Sequence, residues 1–288
     1  MYPEIVKIGP FTVYSYGLML GIAFLTAGYF FSKEFERKKL PQNFATEITL
    51  FAMIFGVAGS KLFHLFENWS AFLSDPIGMI FSAGGLTFYG GLIVATLSIY
   101  FYTKSKKISF LYVADSAAPS LAIAYGIGRI GCHLAGDGDY GIPTSLPWGT
   151  NYENGIVKPS RMFEGSEYAQ VFPNGILPDN TPLHPTPIYE FLVALLIFFL
   201  LWKLRKNDWV QGRLFMIYLI LSGLARFFVE FIRLNPRLLL GLSEAQLISV
   251  GLVIIGIVGT IYYLKNPNLK KYVPITIKVV NDKKKKPN

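Results

Sequence analysis

Apolar residues in this chain fall in blocks of about twenty, the length a helix needs to cross the hydrocarbon of a bilayer. Short charged or Pro/Gly-rich stretches separate the blocks, as connections separate spanning helices. Seven spans follow, at 11–31, 44–66, 86–103, 110–135, 187–202, 214–234 and 245–264, so the expected fold is an all-α polytopic membrane protein. Only 16% of residues are charged and mean hydropathy is positive, against roughly a quarter charged in soluble chains. The first block lacks a basic leader and a small-residue cleavage site, which predicts a retained helix in place of a signal peptide. A single cysteine, Cys132, excludes an intramolecular disulfide.

Basic residues set the expected orientation. Lys33, Arg37, Lys38 and Lys39 follow the first span, Lys104, Lys106 and Lys107 the third, and Lys203, Arg205, Lys206 and Arg213 the fifth; eight more lysines lie between Lys265 and Lys286. With seven spans all of these share one side, and only Lys7, Lys158, Arg161 and Arg237 fall on the other. The N-terminus is therefore expected outside and the tail in the cytoplasm. The net charge of +9 is explained by this segregation, so no nucleic-acid partner is expected. The lysine run 283–286 reads as a solvated tail with some attraction to anionic headgroups. The predicted organisation is one transmembrane domain over 1–266, an extracytoplasmic insertion at about 137–186 and a basic tail over 267–288.

Ionisable groups at membrane depth are costly and mark function. Arg129 lies about six residues below the outer end of the fourth span; Arg226 lies about eight below the outer end of the sixth, with Glu230 one turn further out. Lys61 and His64 end the second span, Tyr89 begins the third and Tyr16 lies in the outer part of the first. These positions converge on the outer third of the bilayer. Arg226 and Glu230 are spaced to pair within their own helix, and Lys61 and Arg233 are placed to snorkel to the interface. Arg129 stands among Gly126, Gly128 and Gly131, where missing side chains admit a neighbouring backbone or a ligand. A guanidinium beside such a gap suits a phosphate or carboxylate. The segment Gly84 to Gly91 brackets Phe88 and Tyr89 with four glycines at a helix start, where free N–H groups can bind an anion or the chain can simply turn tightly. Gly136-Asp137-Gly138-Asp139 lacks the twelve-residue pattern of a calcium loop, so no metal is expected.

These motifs together resemble the bacterial prolipoprotein diacylglyceryl transferases over nearly the whole chain. The resemblance is carried by Ile8-Gly9-Pro10 with Tyr16-Gly17-Leu18-Met19, by Gly84–Gly91, and by Gly128-Arg129-Ile130-Gly131 with Gly141 downstream. His184-Pro185-Thr186-Pro187-Ile188-Tyr189-Glu190 and Arg226-Phe227-Phe228-Val229-Glu230-Phe231-Ile232-Arg233 complete it. It implies transfer of the diacylglyceryl group of phosphatidylglycerol to the lipobox cysteine of a preprolipoprotein at the bacterial inner membrane, without a cofactor and with the site facing the outer leaflet. Implied catalytic positions are Arg129, Arg226, Glu230 and Tyr89. Implied substrate contacts are Tyr16, Gly17, Gly90, Gly91, Gly131, Asp137, Gly141 and His184.

Four positions depart from the family pattern. Tyr89 stands where a histidine is usual, Cys132 where an asparagine is, Asp137 where a glutamate is, and Ser222 where a tyrosine is common. Tyrosine, with a pKa near ~10, is a poor base at neutral pH but a competent hydrogen-bond donor. The departures permit either an active transferase or a relative that binds phospholipid or lipobox peptide without the standard transfer. A transporter is the competing class, but the polar cluster is displaced outward and no internal repeat appears. No span carries a long association motif, so a monomer is expected.

Overall fold

The computed structural model describes residues 1–9, 11–82, 87–207, 209–266 and 269. The predicted tail, apart from residue 269, and residues 84–86 of the glycine-bracketed segment lie outside the described residues. Helices dominate, with one exception to the all-α expectation: strands β1 (Glu4–Ile8) and β2 (Phe11–Tyr14) pair antiparallel before the first helix. The segment is rich in Ile, Val, Thr and Tyr, and Gly9 at the turn has φ of 59°, so a hairpin replaces the start of the first expected span.

Helix α1 (Ser15–Arg37) thus begins later than predicted and runs further. It is followed by α2 (Gln42–Glu67), two six-residue helices α3 (Trp69–Ser74) and α4 (Pro76–Phe81), and α5 (Phe88–Ser105). Helix α6 (Phe110–Ala135) coincides with the expected fourth span. An irregular head with short helices α7 (Pro159–Met162) and α8 (Glu167–Gln170) precedes α9 (Thr186–Leu204). Helix α10 (Arg213–Val229) stops before the predicted end at 234, tightening into a 3-10 turn over Glu230–Ile232. Helix α11 (Glu244–Lys265) starts from a capping box in which Ser243 and Gln246 bond each other's backbone.

Among the described residues six helices are long and apolar enough to cross a membrane: α1, α2, α6, α9, α10 with its 3-10 extension, and α11. Helix α5, with 18 residues and a polar Thr103-Lys104-Ser105 end, is not among them. Helix α6 is the hub. Its most apolar stretch is 61% buried, against 28% or less for the other five, and it packs against α1, α9 and α10. Small residues along it (Ala114, Ala118, Ala122, Gly126) permit that close approach. Near its start, Asp115 accepts from the N–H groups of Gly212 (2.6 Å) and Phe215 (2.8 Å), satisfying the first turn of α10. The rest of the bundle pairs α2 with α5 and α10 with α11.

The head over 137–186 has its own core of Tyr140, Tyr152, Phe163, Ala169, Leu177 and Leu183. It is tied to the end of α6 at Gly136, a left-handed cap (φ 61°) whose N–H donates to Cys132 O at 2.9 Å. A Cβ there would lie 2.6 Å from Gly155 Cα, so both the dihedral and the space require glycine.

Candidate active site

Three arginines and three carboxylates interlock where the C-terminal ends of α6 and α10 meet the start of α9. Glu190, in the first turns of α9 and 5% exposed, is the centre. Its Oε1 lies 3.0 Å from Arg226 Nη1 and 3.4 Å from Arg129 Nε, and accepts from the Tyr125 hydroxyl; its Oε2 lies 3.6 Å from Arg233 Nη1. Asp139 bridges Arg129 and Arg233 from the head. Glu230, fully buried, pairs with Arg226 at 3.1 Å and Arg233 at 3.9 Å. It also accepts from Ser243 Oγ at 2.9 Å and from Asn235 Nδ2. Formal charges in the ring cancel, which is how ionised groups persist at low dielectric. The Arg129 guanidinium also stacks over the Tyr125 ring, 4.9 Å from its centroid.

The ring caps a cavity of about 760 Å³ between α5, α6, α9, α10 and α11. Tyr125, Arg129, Glu190 and Arg226 line its polar end, with Phe88 and Tyr89 contributed by α5. Ala122, Val193, Ile197, Ile248 and Leu252 continue it as an apolar slot toward the middle of the bundle. A charged end joined to an apolar trough fits a molecule with an anionic head and an acyl chain.

The structure sorts the residues singled out by sequence into several places. Arg129, Arg226 and Tyr89 line the cavity, and Glu230 lies behind Arg226. Tyr16 and Gly131 meet at the packing of α1 on α6: a Cβ on Gly131 would lie 3.3 Å from Tyr16 Cδ2. Gly17 faces open space. Gly90 and Gly91 are buried against Phe63 and Ser60 of α2 and are not among the residues that line the cavity. Gly141 threads between the 3-10 turn and the start of α9; its N–H donates to His184 O at 2.9 Å. His184 Nδ1 lies 3.2 Å from the Tyr189 hydroxyl, which accepts from Trp148 Nε1 at 2.8 Å. Burial holds the His184 imidazole below its ordinary pKa, so the neutral ring is favoured. Lys61 donates to Ser82 O (3.0 Å) and Oγ (2.7 Å), and His64 bonds Asn68, both away from the ring.

Three members of the ring were not foreseen in these roles. Arg233, expected to snorkel, is 7% exposed and turned inward by the 3-10 turn. The aspartate that reaches Arg129 is Asp139, whereas Asp137 bonds the Asp139 N–H at 3.3 Å and adjoins Cys132. Burial and the neighbouring Asp139 charge push the Asp137 carboxyl up. Burial would do the same to Asp139, but the Arg233 and Arg129 guanidiniums outweigh it and hold that carboxyl below its ordinary value. Glu190 had a signal in the His184–Glu190 motif, but it sits near a span end, where depth says little. Cys132, Asp137 and Asp139 are close enough to share a cation, yet two guanidiniums already occupy Asp139.

The family model described as prolipoprotein diacylglyceryl transferase matches residues 3–262. The chain belongs to the prolipoprotein diacylglyceryl transferase family. Relatives named phosphatidylglycerol–prolipoprotein diacylglyceryl transferase include one from Clostridium tetani, 34% identical over 89% of this chain and 96% of its own length. One from Bacillus cytotoxicus is 32% identical over 92% and 93%, and one from Bacillus cereus 32% over 88% of each. In this transferase-family chain the motifs that carry the likeness meet at the ring, since Arg129, Glu190, Arg226, Glu230 and Arg233 come from three of them.

Proposed function

We propose that this chain transfers the diacylglyceryl group of phosphatidylglycerol to the lipobox cysteine thiol of preprolipoproteins. The observation that carries this reading is the placement of Arg129 and Arg226 on one carboxylate, Glu190, at the polar end of a cavity whose other end is apolar. In the reaction the thiol loses its proton, sulfur bonds to the glycerol carbon bearing the phosphate ester, the carbon–oxygen bond breaks and glycerol phosphate leaves. Charge grows on the departing phosphate, and two fixed guanidiniums aimed at that point stabilise it without reorganising. Glu190 and Glu230 act as positioning residues for the arginines, and Tyr89 offers a hydrogen bond to the headgroup. Tyr16, Gly131 and Asp137, on the α1 side of α6, are placed to meet the peptide, with Gly17 open beside them. Gly141 and His184 hold the head over the ring.

The substrate lipid enters sideways from the bilayer, so the ring belongs in the outer leaflet of the bacterial cytoplasmic membrane. In this reading α5 is a seventh crossing, with the N-terminus outside and the tail inside, as the distribution of basic residues favours. The chain acts as a monomer. The test is transfer from labelled phosphatidylglycerol to a synthetic lipobox peptide by the purified chain. Thioether product is expected from the wild type, with a loss of about 10²–10³-fold or more in Arg129→Ala. Wild-type protein that retains lipid but yields no product would overturn the proposal in favour of lipid or peptide binding without transfer.

A further inference from the structure

A second pocket opens at the other end of the bundle, where α1 and α9 finish and α6 and α10 begin. Its volume is about 400 Å³, and Arg37, Lys38, Lys39, Arg205 and Lys206 contribute to its lining with the Trp209 indole. Glu34, almost fully buried, collects three of these cations: Arg37 Nη2 at 2.6 Å, Arg205 Nε at 3.0 Å and Lys38 Nζ at 3.5 Å. Glu34 lies behind the lining; among the described residues the lining acid is Asp115, whose oxygens are engaged by the Gly212 and Phe215 amides. Asp208, next in the chain, lies outside the described residues. Five cations therefore face two described carboxylates, and two of the cations are rigidly held. The Lys38 ammonium lies 4.0 Å over the Tyr112 ring and donates to Ser116 Oγ at 2.7 Å. The Arg205 guanidinium stacks 3.3 Å from a Trp202 ring centroid. Basic residues at the ends of α1 and α9 complement those helix termini, but the rim pair Lys39 and Lys206 exceeds that need.

We propose that this pocket binds a phosphate-bearing anion, either a phospholipid headgroup or a free phosphate. Pre-positioned guanidinium and ammonium groups around an indole wall match phosphate geometry and charge, and the volume suits a headgroup. The site is independent of the chemistry at the arginine–carboxylate ring.

Hydrogen–deuterium exchange on the full chain reads the two ends separately. It is measured in nanodiscs of phosphatidylcholine, of phosphatidylcholine mixed with phosphatidylglycerol, and of phosphatidylcholine with added inorganic phosphate. Protection of residues 36–40 and 204–212 is expected on adding the anionic lipid. If inorganic phosphate alone reproduces it, the site takes free phosphate; if only the lipid does, it takes a headgroup. Replacing each rim lysine (Lys39→Gln, Lys206→Gln) is expected to raise the half-saturating lipid fraction about fivefold, and both are exposed enough to leave the fold intact. No protection from either probe, or protection in both variants equal to that of the unchanged chain, overturns the proposal, whatever happens to peptides around Arg129.

Discussion

Glu190 touches all three arginines, so its substitution tests whether the ring positions charge or only holds helices together. Glu190→Gln keeps an acceptor for Tyr125 and Arg226 but removes the shared charge. Initial transfer rates are expected to fall by about 10²–10³-fold, mainly in kcat, while the melting temperature drops less than for Glu190→Ala. Tyr89 makes the opposite prediction. Tyr89→Phe should retain transfer within about tenfold, because a general acid or base at this position would cost about 10²–10⁴ when lost. Asp139 supplies a pH signature. Its folded pKa lies below the ordinary value, so its stabilising contribution is present above that ordinary value and is lost as pH falls through the depressed one. Asp139→Asn should flatten this acid limb in thermal unfolding measured from neutral pH downward. Arg129 and Arg226 were legible because a charge inside an apolar run has few bland explanations. Asp139 was not, because nothing in Asp137-Gly138-Asp139 says which carboxylate turns back toward α6.

At the scale of elements, the short 3-10 turn after α10 does more for the site than any regular helix end. By stopping the helix at Val229 it swings Arg233 inward to bridge with Gly141 and brings the Ile232 carbonyl onto the Ile142 N–H. A Cβ on Gly141 would come 2.5 Å from the Ile232 carbonyl oxygen, a backbone atom with little freedom to retreat. Gly141→Ala is therefore expected to lower stability by about 1–3 kcal/mol and to reduce transfer by shifting Asp139 off the ring, measured by thermal unfolding and rate together. Helical periodicity does not register such a turn, since Arg226 to Arg233 reads as an unbroken amphipathic run. The long helices were legible to within about six residues at either end because hydrocarbon thickness dictates their length. The hairpin before α1 carried a strand pattern on either side of Gly9, but its apolar residues merge into the following block.

For the whole molecule, topology is the expectation that most needs measuring. Val171, 80% exposed in the head, and Lys278 in the tail lie on opposite sides of the expected membrane. With Cys132 buried, Val171→Cys should label with an impermeant maleimide on intact cells, and Lys278→Cys only after lysis. Equal labelling of both before lysis would refute an odd number of crossings between the head and the tail. The ring described above also has a history written into its connectivity. Arg129 and Asp139 leave the ribosome long before Glu190, Arg226, Glu230 and Arg233. An arginine entering a bilayer on a lone helix costs about 2.5–3.5 kcal/mol by insertion scales, and at that stage Asp139 is the only ring carboxylate yet made. Helix α6 therefore meets the bilayer with one of its ring carboxylates, and the others reach Arg129 only when the last three long helices follow, so the salt bridges that pose the arginines close in the order of synthesis.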